Sequence, residues 1–288
     1  MALATRLDNL GTETAFAVSL AAAEWGAKGN RIFPFHLGDI NLPTSQNIVD
    51  AMNKAIADGK TGYCPGAGIP QAIADCVRIV PFNDIDALKQ VLAEYDGQIA
   101  GMIFEPILMG AGIIVPQPGY LAAVKKLVHQ HGALLTFDEV KTGLVIHQGG
   151  ATAMYGVTPD IICLAKALGG GLPCGAIGGT TEVMSAIANG SYSQVGTFNG
   201  NTLTMAATKA VLTEVLTDDA YAQANDVGEY ILKHAVSTLQ SHGQGAHGYQ
   251  FGFKVSVVFC AEPAKNYRDF LEVSTGAMHL NYLKQFNF

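Results

Sequence analysis

The chain has 288 residues, enough for one large or two modest domains, with 49% hydrophobic and only 14% charged residues. This balance excludes an intrinsically disordered protein and favours a large buried core with a subunit interface. The formal net charge of −7 argues against a nucleic-acid partner and against an acidic membrane surface.

The five cysteines, Cys64, Cys76, Cys163, Cys174 and Cys260, are scattered and odd in number. They form no Cys-x-x-Cys, so reduced thiols in a cytoplasm are expected rather than a disulfide framework or a structural zinc. Cys163 and Cys174 read as buried small hydrophobes. Met1 to Asn9 lacks an apolar segment of signal-peptide length, and no apolar run is long enough to span a bilayer.

In chain order, an alanine-rich stretch from about Glu13 to Trp25 predicts a helix closed near Gly26, with Trp25 as packing. Ile32 to Leu37 predicts a short extended segment ending at Gly38-Asp39. Apolar residues at Ile48, Met52, Ala55 and Ile56 predict a helix over Asn47 to Asp58, capped by Thr44 or Ser45 and ended by Gly59. From Pro81 the pattern becomes βα. Asp84 caps a helix carrying Leu88, Val91 and Leu92, and Ile99 to Phe104 is a strand ending in Glu105-Pro106. Pro118 opens a helix bearing Leu121, Val124, Leu127 and Val128 that stops at Gly132. Ala133 to Phe137 and Ile161 to Leu164 are continuous apolar runs, as buried parallel strands are. Cys174 to Gly179 is a further short strand. Helices follow over Glu182 to Ala188, Thr204 to Leu216 and Asp219 to Leu239, and Lys254 to Phe259 is a strand of a smaller domain.

The chemistry concentrates where two apolar runs stop. Leu134-Leu135-Thr136-Phe137 ends in Asp138-Glu139-Val140, and Ile161 to Leu164 ends in Ala165-Lys166 followed by Gly169-Gly170-Gly171. Ligands of open α/β sheets bind beyond the carboxyl ends of the strands. An acid and an amine on neighbouring strand ends are what pyridoxal 5'-phosphate requires, the lysine for its aldehyde and the acid for its ring nitrogen. A partly buried lysine suits this work, because burial favours the neutral amine. The glycines allow positive φ and close backbone approach. The glycine run lacks the order of a P-loop, and the histidines, His129 and His131 included, form no metal constellation.

From about Pro81 to Tyr267 these motifs occur in a familiar order. They include Phe104-Glu105-Pro106, Pro118-Gly119-Tyr120-Leu121, Phe137-Asp138-Glu139-Val140 with Thr142-Gly143, and Tyr155-Gly156-Val157-Thr158-Pro159-Asp160. Lys166 with its glycines and Gly196-Thr197-Phe198-Asn199-Gly200-Asn201 complete the series. This text resembles class III aminotransferases of fold type I, in particular the glutamate-1-semialdehyde aminomutase branch. Phe35-His36-Leu37-Gly38-Asp39, Pro43-Thr44 and Gly62-Tyr63 resemble the opening of class I aminotransferases instead.

The resemblance implies an α/β fold, a mostly parallel sheet flanked by helices, with a partial small α+β domain. The expected division is an N-terminal segment over 1–75, a cofactor-binding core over 76–216, and a bridging helix with a partial small domain over 217–288. The resemblance also implies roles. Lys166 and Asp138 would be catalytic and would bind pyridoxal phosphate. Val140 would pack on the ring, or serve the core alone. Glu105 would lie near the cofactor, or form a structural ion pair. Thr197 would reach the phosphate across a homodimer interface, and Tyr63 likewise unless it is a turn tyrosine. Gly38 would lie near the substrate carboxylate. Substrates would be small amines and keto acids or aldehydes.

Three departures from the family pattern stand out. Between Gln71 and Val80 there is neither the Ser/Gly-Thr turn that grips a cofactor phosphate nor the aromatic that stacks on the ring, and the family continues past the position of Phe288. Leu144-Val145 also follow Thr142-Gly143 where an aromatic and an arginine are usual. Three readings stay open: an aminotransferase, an aminomutase, and a non-catalytic scaffold of the same fold.

Overall fold

The computed structural model describes residues 14–32, 46–58, 75–252, 254–260 and 262–272. The chain divides into two compact units, one of Met1–Gly66 with Thr180–Asn201, the other of Ala67–Gly179 with Thr202–Phe288.

In the first unit, α1 spans Thr14–Ala27 and α2 spans Gln46–Ala57. The helix α1 closes at Ala27, next to Gly26 as expected, while Trp25 is 57% exposed rather than packed. The segment expected to be extended, Ile32 to Leu37, lies almost wholly outside the described residues, as do Gly38, Thr44, Ser45, Gly59 and Tyr63.

The second unit holds the sheet. Helix α3 (Ile85–Glu94) begins where Asp84 accepts a hydrogen bond from the Ala87 amide at 2.8 Å, satisfying one of the free N–H groups of the first turn. Strand β1 is Gly101–Phe104. Helix α4 (Tyr120–Gln130) starts two residues after Pro118 rather than on it. The intervening Gly119 has φ 80°, a left-handed backbone that cannot continue a helix from Pro118. Strand β2 is Leu134–Asp138, α5 is Gly150–Tyr155, β3 is Ile161–Leu164 and β4 is Ala176–Gly179.

The four strands lie in the order β1-β2-β3-β4. The first two pairings are parallel, with Phe104 opposite Phe137 and Asp138 opposite Cys163, while β4 runs antiparallel to β3 with Ile177 opposite Cys163. A mostly parallel α/β sheet is therefore present, closed by one reversed strand.

The sheet's two faces differ. Leu135 and Phe137 point into a core built with Leu88 and Leu92 of α3 and Leu121, Val124 and Val128 of α4. Side chains alternate along a strand, so Thr136 and Asp138 take the other face. There Ile103, opposite Thr136, is 62% exposed and Ile177 is 54% exposed.

Three elements complete this unit's framework. Helix α7 (Thr202–Ala210) widens into a π turn over Val211–Val215 instead of running on as one helix to Leu216. There Thr213 Oγ1 donates to the Lys209 carbonyl at 2.9 Å, competing with the backbone ladder. Helix α8 (Asp218–Ser241) packs on the hairpin β5 (His247–Phe251) and β6 (Lys254–Val258). Only the second of these strands is legible in the sequence, because Gly248 and Gln250 break the apolar pattern of the first. Helix α6 (Thr181–Ala188), capped by Thr180, belongs to the other unit, and α9 is Tyr267–Glu272.

Candidate active site

The carboxyl ends of β1, β2 and β3 carry Glu105, Asp138 and Lys166. Asp138 is the last residue of β2 and is half-buried. Its Oδ1 accepts the Val140 amide at 3.0 Å, which fixes the carboxylate and turns the chain away from the strand. The ladder continues one residue further, with the Glu139 amide donating to the Cys163 carbonyl at 3.0 Å. Cys163 thus shares a sheet face with Asp138. Partial burial, and then the Asp138 charge, push its thiol above the ordinary range.

Lys166 lies three residues beyond Cys163. It heads a 3-10 turn, Lys166–Gly169, and holds φ at 51°, a left-handed conformation uncommon for a side chain with a Cβ. Gly170 and Gly171 follow at φ 57° and 95°. Gly169 lies so close to Cys174 that a Cβ there would stand 3.0 Å from the Cys174 Cβ. The turn therefore needs its glycines both for backbone shape and for space. The lysine is exposed, not partly buried as the sequence reading had it, and Cys163 and Cys174 are half-buried rather than fully buried.

Glu105 stands one residue past Phe104, level with Asp138 in the register. It is half-buried, and its Oε2 accepts the Met109 amide at 3.1 Å. Val140 is half-buried beside Asp138. Thr197 is exposed in a turn of the other unit, closed by the Asn199 amide on the Gly196 carbonyl at 2.9 Å. Tyr63 and Gly38 lie outside the described residues.

Two residues here escaped the sequence reading. Glu139, next to Asp138, is completely buried. Its carboxylate accepts four hydrogen bonds: from Thr142 Oγ1 at 2.9 Å, the Ala151 amide at 2.6 Å, the Thr152 amide at 2.8 Å and Thr152 Oγ1 at 2.6 Å. It ties the end of β2 to the start of α5. The signals were the Glu-x-x-Thr spacing and the paired Gly149-Gly150. The second residue is Lys141, half-buried, three residues past Asp138. Its Nζ lies 3.2 Å from where a Cβ on Gly110 would stand, and Glu105 Oε1 lies 3.7 Å from the same point.

The loop after β2 is clasped from its far side too. The Tyr221 hydroxyl donates to the Leu144 carbonyl, and Gln148 Nε2 donates to Asp218 Oδ1 at 3.2 Å. At the opposite end of the sheet, Asp160 Oδ2 accepts the Leu135 amide at 2.7 Å and meets His129 Nε2 at 2.8 Å. That pair joins a helix end to the sheet. Clefts of about 400 and 580 Å³ lie elsewhere, by Asn83 and Tyr120 and by Leu232 and His247.

The arrangement is an open α/β sheet with an acid at the end of one parallel strand and an amine two residues past the end of the next. The class-III aminotransferase family model matches residues 52–247, more than half of the chain, and the chain belongs to that family. It is 38% identical over 208 residues to the glutamate-1-semialdehyde 2,1-aminomutase of Symbiobacterium thermophilum, a match covering 72% of this chain and 48% of the relative. The chain spans about half the length of the curated relatives it matches. Among solved structures, an omega-transaminase from Sphaerobacter thermophilus superposes with a TM-score of 0.67 at 28% identity, over 73% of this chain and 48% of that one. A glutamate-1-semialdehyde-aminomutase from Pseudomonas aeruginosa PAO1 in complex with PMP gives 0.63 at 25% identity, over 73% and 49%.

Proposed function

We propose that this chain is the cofactor-bearing core of a pyridoxal-phosphate-dependent aminotransferase, moving an amino group between an amine or amino acid and a keto acid or aldehyde. The carrying observation is the Asp138–Cys163 register, which sets a carboxylate and, three residues on, the Lys166 amine at one end of adjacent strands. The donor set fits the cofactor's ring. Asp138 Oδ1 is held by the Val140 amide, and among the described residues Oδ2 has no hydrogen-bond partner, which suits a protonated ring nitrogen.

When bound, pyridoxal phosphate supplies a sink for the electrons left on a substrate carbon that has lost its proton. Asp138 would hold the cofactor's ring nitrogen, and Val140 would pack on one face of the ring. Lys166 takes the proton from the substrate carbon and returns it at a neighbouring atom, as a general acid and base. Its exposed position beside three glycines supports such reach. Thr197 and Tyr63 are the phosphate contacts the family resemblance offers, in a homodimer with shared sites. The half-buried free thiols of Cys163, Cys174 and Cys260 support a reducing, cytoplasmic setting.

A second reading, an aminomutase that returns the amine to an adjacent carbon of the same molecule, is favoured by the 38% identity to a glutamate-1-semialdehyde 2,1-aminomutase. Pyridoxal phosphate added to the purified protein should give a violet-edge absorbance, and borohydride should then leave a stable mass increment on the Lys166 peptide. Lys166→Ala should show neither. A wild-type protein without absorbance or increment rejects both enzyme readings and leaves a non-catalytic scaffold. If the increment forms, bleaching by an amine followed by recovery with an unrelated keto acid selects the aminotransferase.

A further inference from the structure

We propose that Lys141 is a specificity-determining residue of this site, the cation that holds the carboxylate of an amino-acid or keto-acid substrate. The inference rests on the aminotransferase reading above and deepens it. Lys141 and Lys166 each stand three residues beyond one member of the Asp138–Cys163 pair, so both amines emerge at the carboxyl end of the sheet. They differ in surroundings. Lys166 is exposed, whereas Lys141 is half-buried with its Nζ against Gly110. Among the described residues, no acceptor lies within hydrogen-bonding distance of Lys141 Nζ, and Glu105 faces it across the glycine without closing an ion pair. The Lys141 Nζ, without a protein acceptor among the described residues, is open to an incoming anion, which would gain a charge-assisted hydrogen bond there.

The neighbourhood selects the kind of anion. The Glu105 carboxylate repels a dianion about twice as strongly as a monoanion at the same distance. Phosphate sites are commonly built from the free N–H groups of a helix N-terminus. The stretch around Gly110 is ordered by the Leu108–Ile114 bridge and starts no helix. A lysine acts as a compact point charge, sufficient for a carboxylate. Gly110 keeps the approach open, because a side chain there would stand 3.2 Å from the ammonium. Within 139–146 Lys141 is the one cation, and Leu144 and Val145 supply no other.

The test uses the full chain, with and without pyridoxal phosphate, as wild type, Lys141→Met and Lys141→Arg. Glutarate and inorganic phosphate are titrated calorimetrically. Lys141→Met should weaken glutarate roughly tenfold or more, as the loss of a charge-assisted contact does, while Lys141→Arg stays within about threefold. The Lys166 increment should be unchanged in both variants. With glutamate as donor, Lys141→Met should raise KM and leave kcat, while KM for an uncharged amine such as 1-phenylethylamine holds. Equal glutarate binding by wild type and Lys141→Met overturns the proposal. So does a wild type that binds no glutarate, or a loss of phosphate or pyridoxal phosphate binding in its place. A missing Lys166 increment in wild type defeats the aminotransferase reading itself, and glutarate binding without cofactor reports on Lys141 separately.

Discussion

Asp138 stands opposite Cys163 in the parallel ladder, and the Glu139 amide closes on the Cys163 carbonyl one residue further on. The carboxylate therefore acts on the thiol beside it. Burial is the larger cause of the raised Cys163 pKa and the Asp138 charge the second. Asp138→Asn should shift the pH profile of Cys163 alkylation downward only in part, because burial remains. An unchanged profile would separate the two side chains. The linkage has a definite sign. An acid whose folded pKa is raised stabilises the fold below its unfolded pKa and loses that contribution as pH rises towards the folded value. Cys163 and Cys260 are raised, as are Tyr120, Tyr155, Tyr221 and Tyr249. The denaturation midpoint should thus fall as pH climbs through the thiol range and fall again through the tyrosine range.

Glu139 meets four donors and no acceptor. In Glu139→Gln the new amide N–H₂ must face at least one of them, leaving buried donors unpaired at about 1–3 kcal/mol each. A loss of roughly 2–4 kcal/mol in urea unfolding is expected. Gly150 has φ 61°, and a Cβ there would stand 2.1 Å from Glu139 Oε2, whereas Gly156 at φ 65° has open space. Gly156→Ala should cost about 1–2 kcal/mol for the left-handed backbone alone. Gly150→Ala should cost clearly more, and equal costs would refute the clash.

The sheet is stabilised from one side. Leu135 is fully buried among α3 and α4, so Leu135→Ala should cost about 2–5 kcal/mol. Ile103, 62% exposed on the other face, should cost less than about 1 kcal/mol as Ile103→Ala. Thermal melts of the two variants decide this. Comparable losses would show that the second face is covered in solution.

Lys166 holds a conformation that costs a residue with a Cβ about 1–2 kcal/mol, and asparagine adopts it more readily. Lys166→Asn should therefore raise the stability of the cofactor-free protein by roughly 0.5–1 kcal/mol while abolishing the borohydride-stable increment. A less stable variant would mean that the lysine's own contacts outweigh its backbone strain.

Much of this was legible in the sequence because it is local. Apolar runs of strand length, Asp84 as a cap and the glycines after Lys166 act within a few residues of themselves. That range was enough to set β1 to β3, α3 and the acid and amine that follow two adjacent strands. It failed where a residue's role depends on partners distant in sequence. Glu139 reads as a polar flank of Asp138 until the fold brings Ala151 and Thr152 to its carboxylate, and the burial of that charge is then possible only because four donors converge. Lys141 acquires meaning only when the loop carrying Gly110 lies across it. The reversal of β4, the exposure of Ile103 and the left-handed turn at Lys166 likewise come from long-range packing, which local propensity does not encode. The sequence alone established which groups are available for the chemistry. The tertiary structure decided which of them are buried, which are held and which stay exposed, because burial and hydrogen bonding are properties of the assembled sheet.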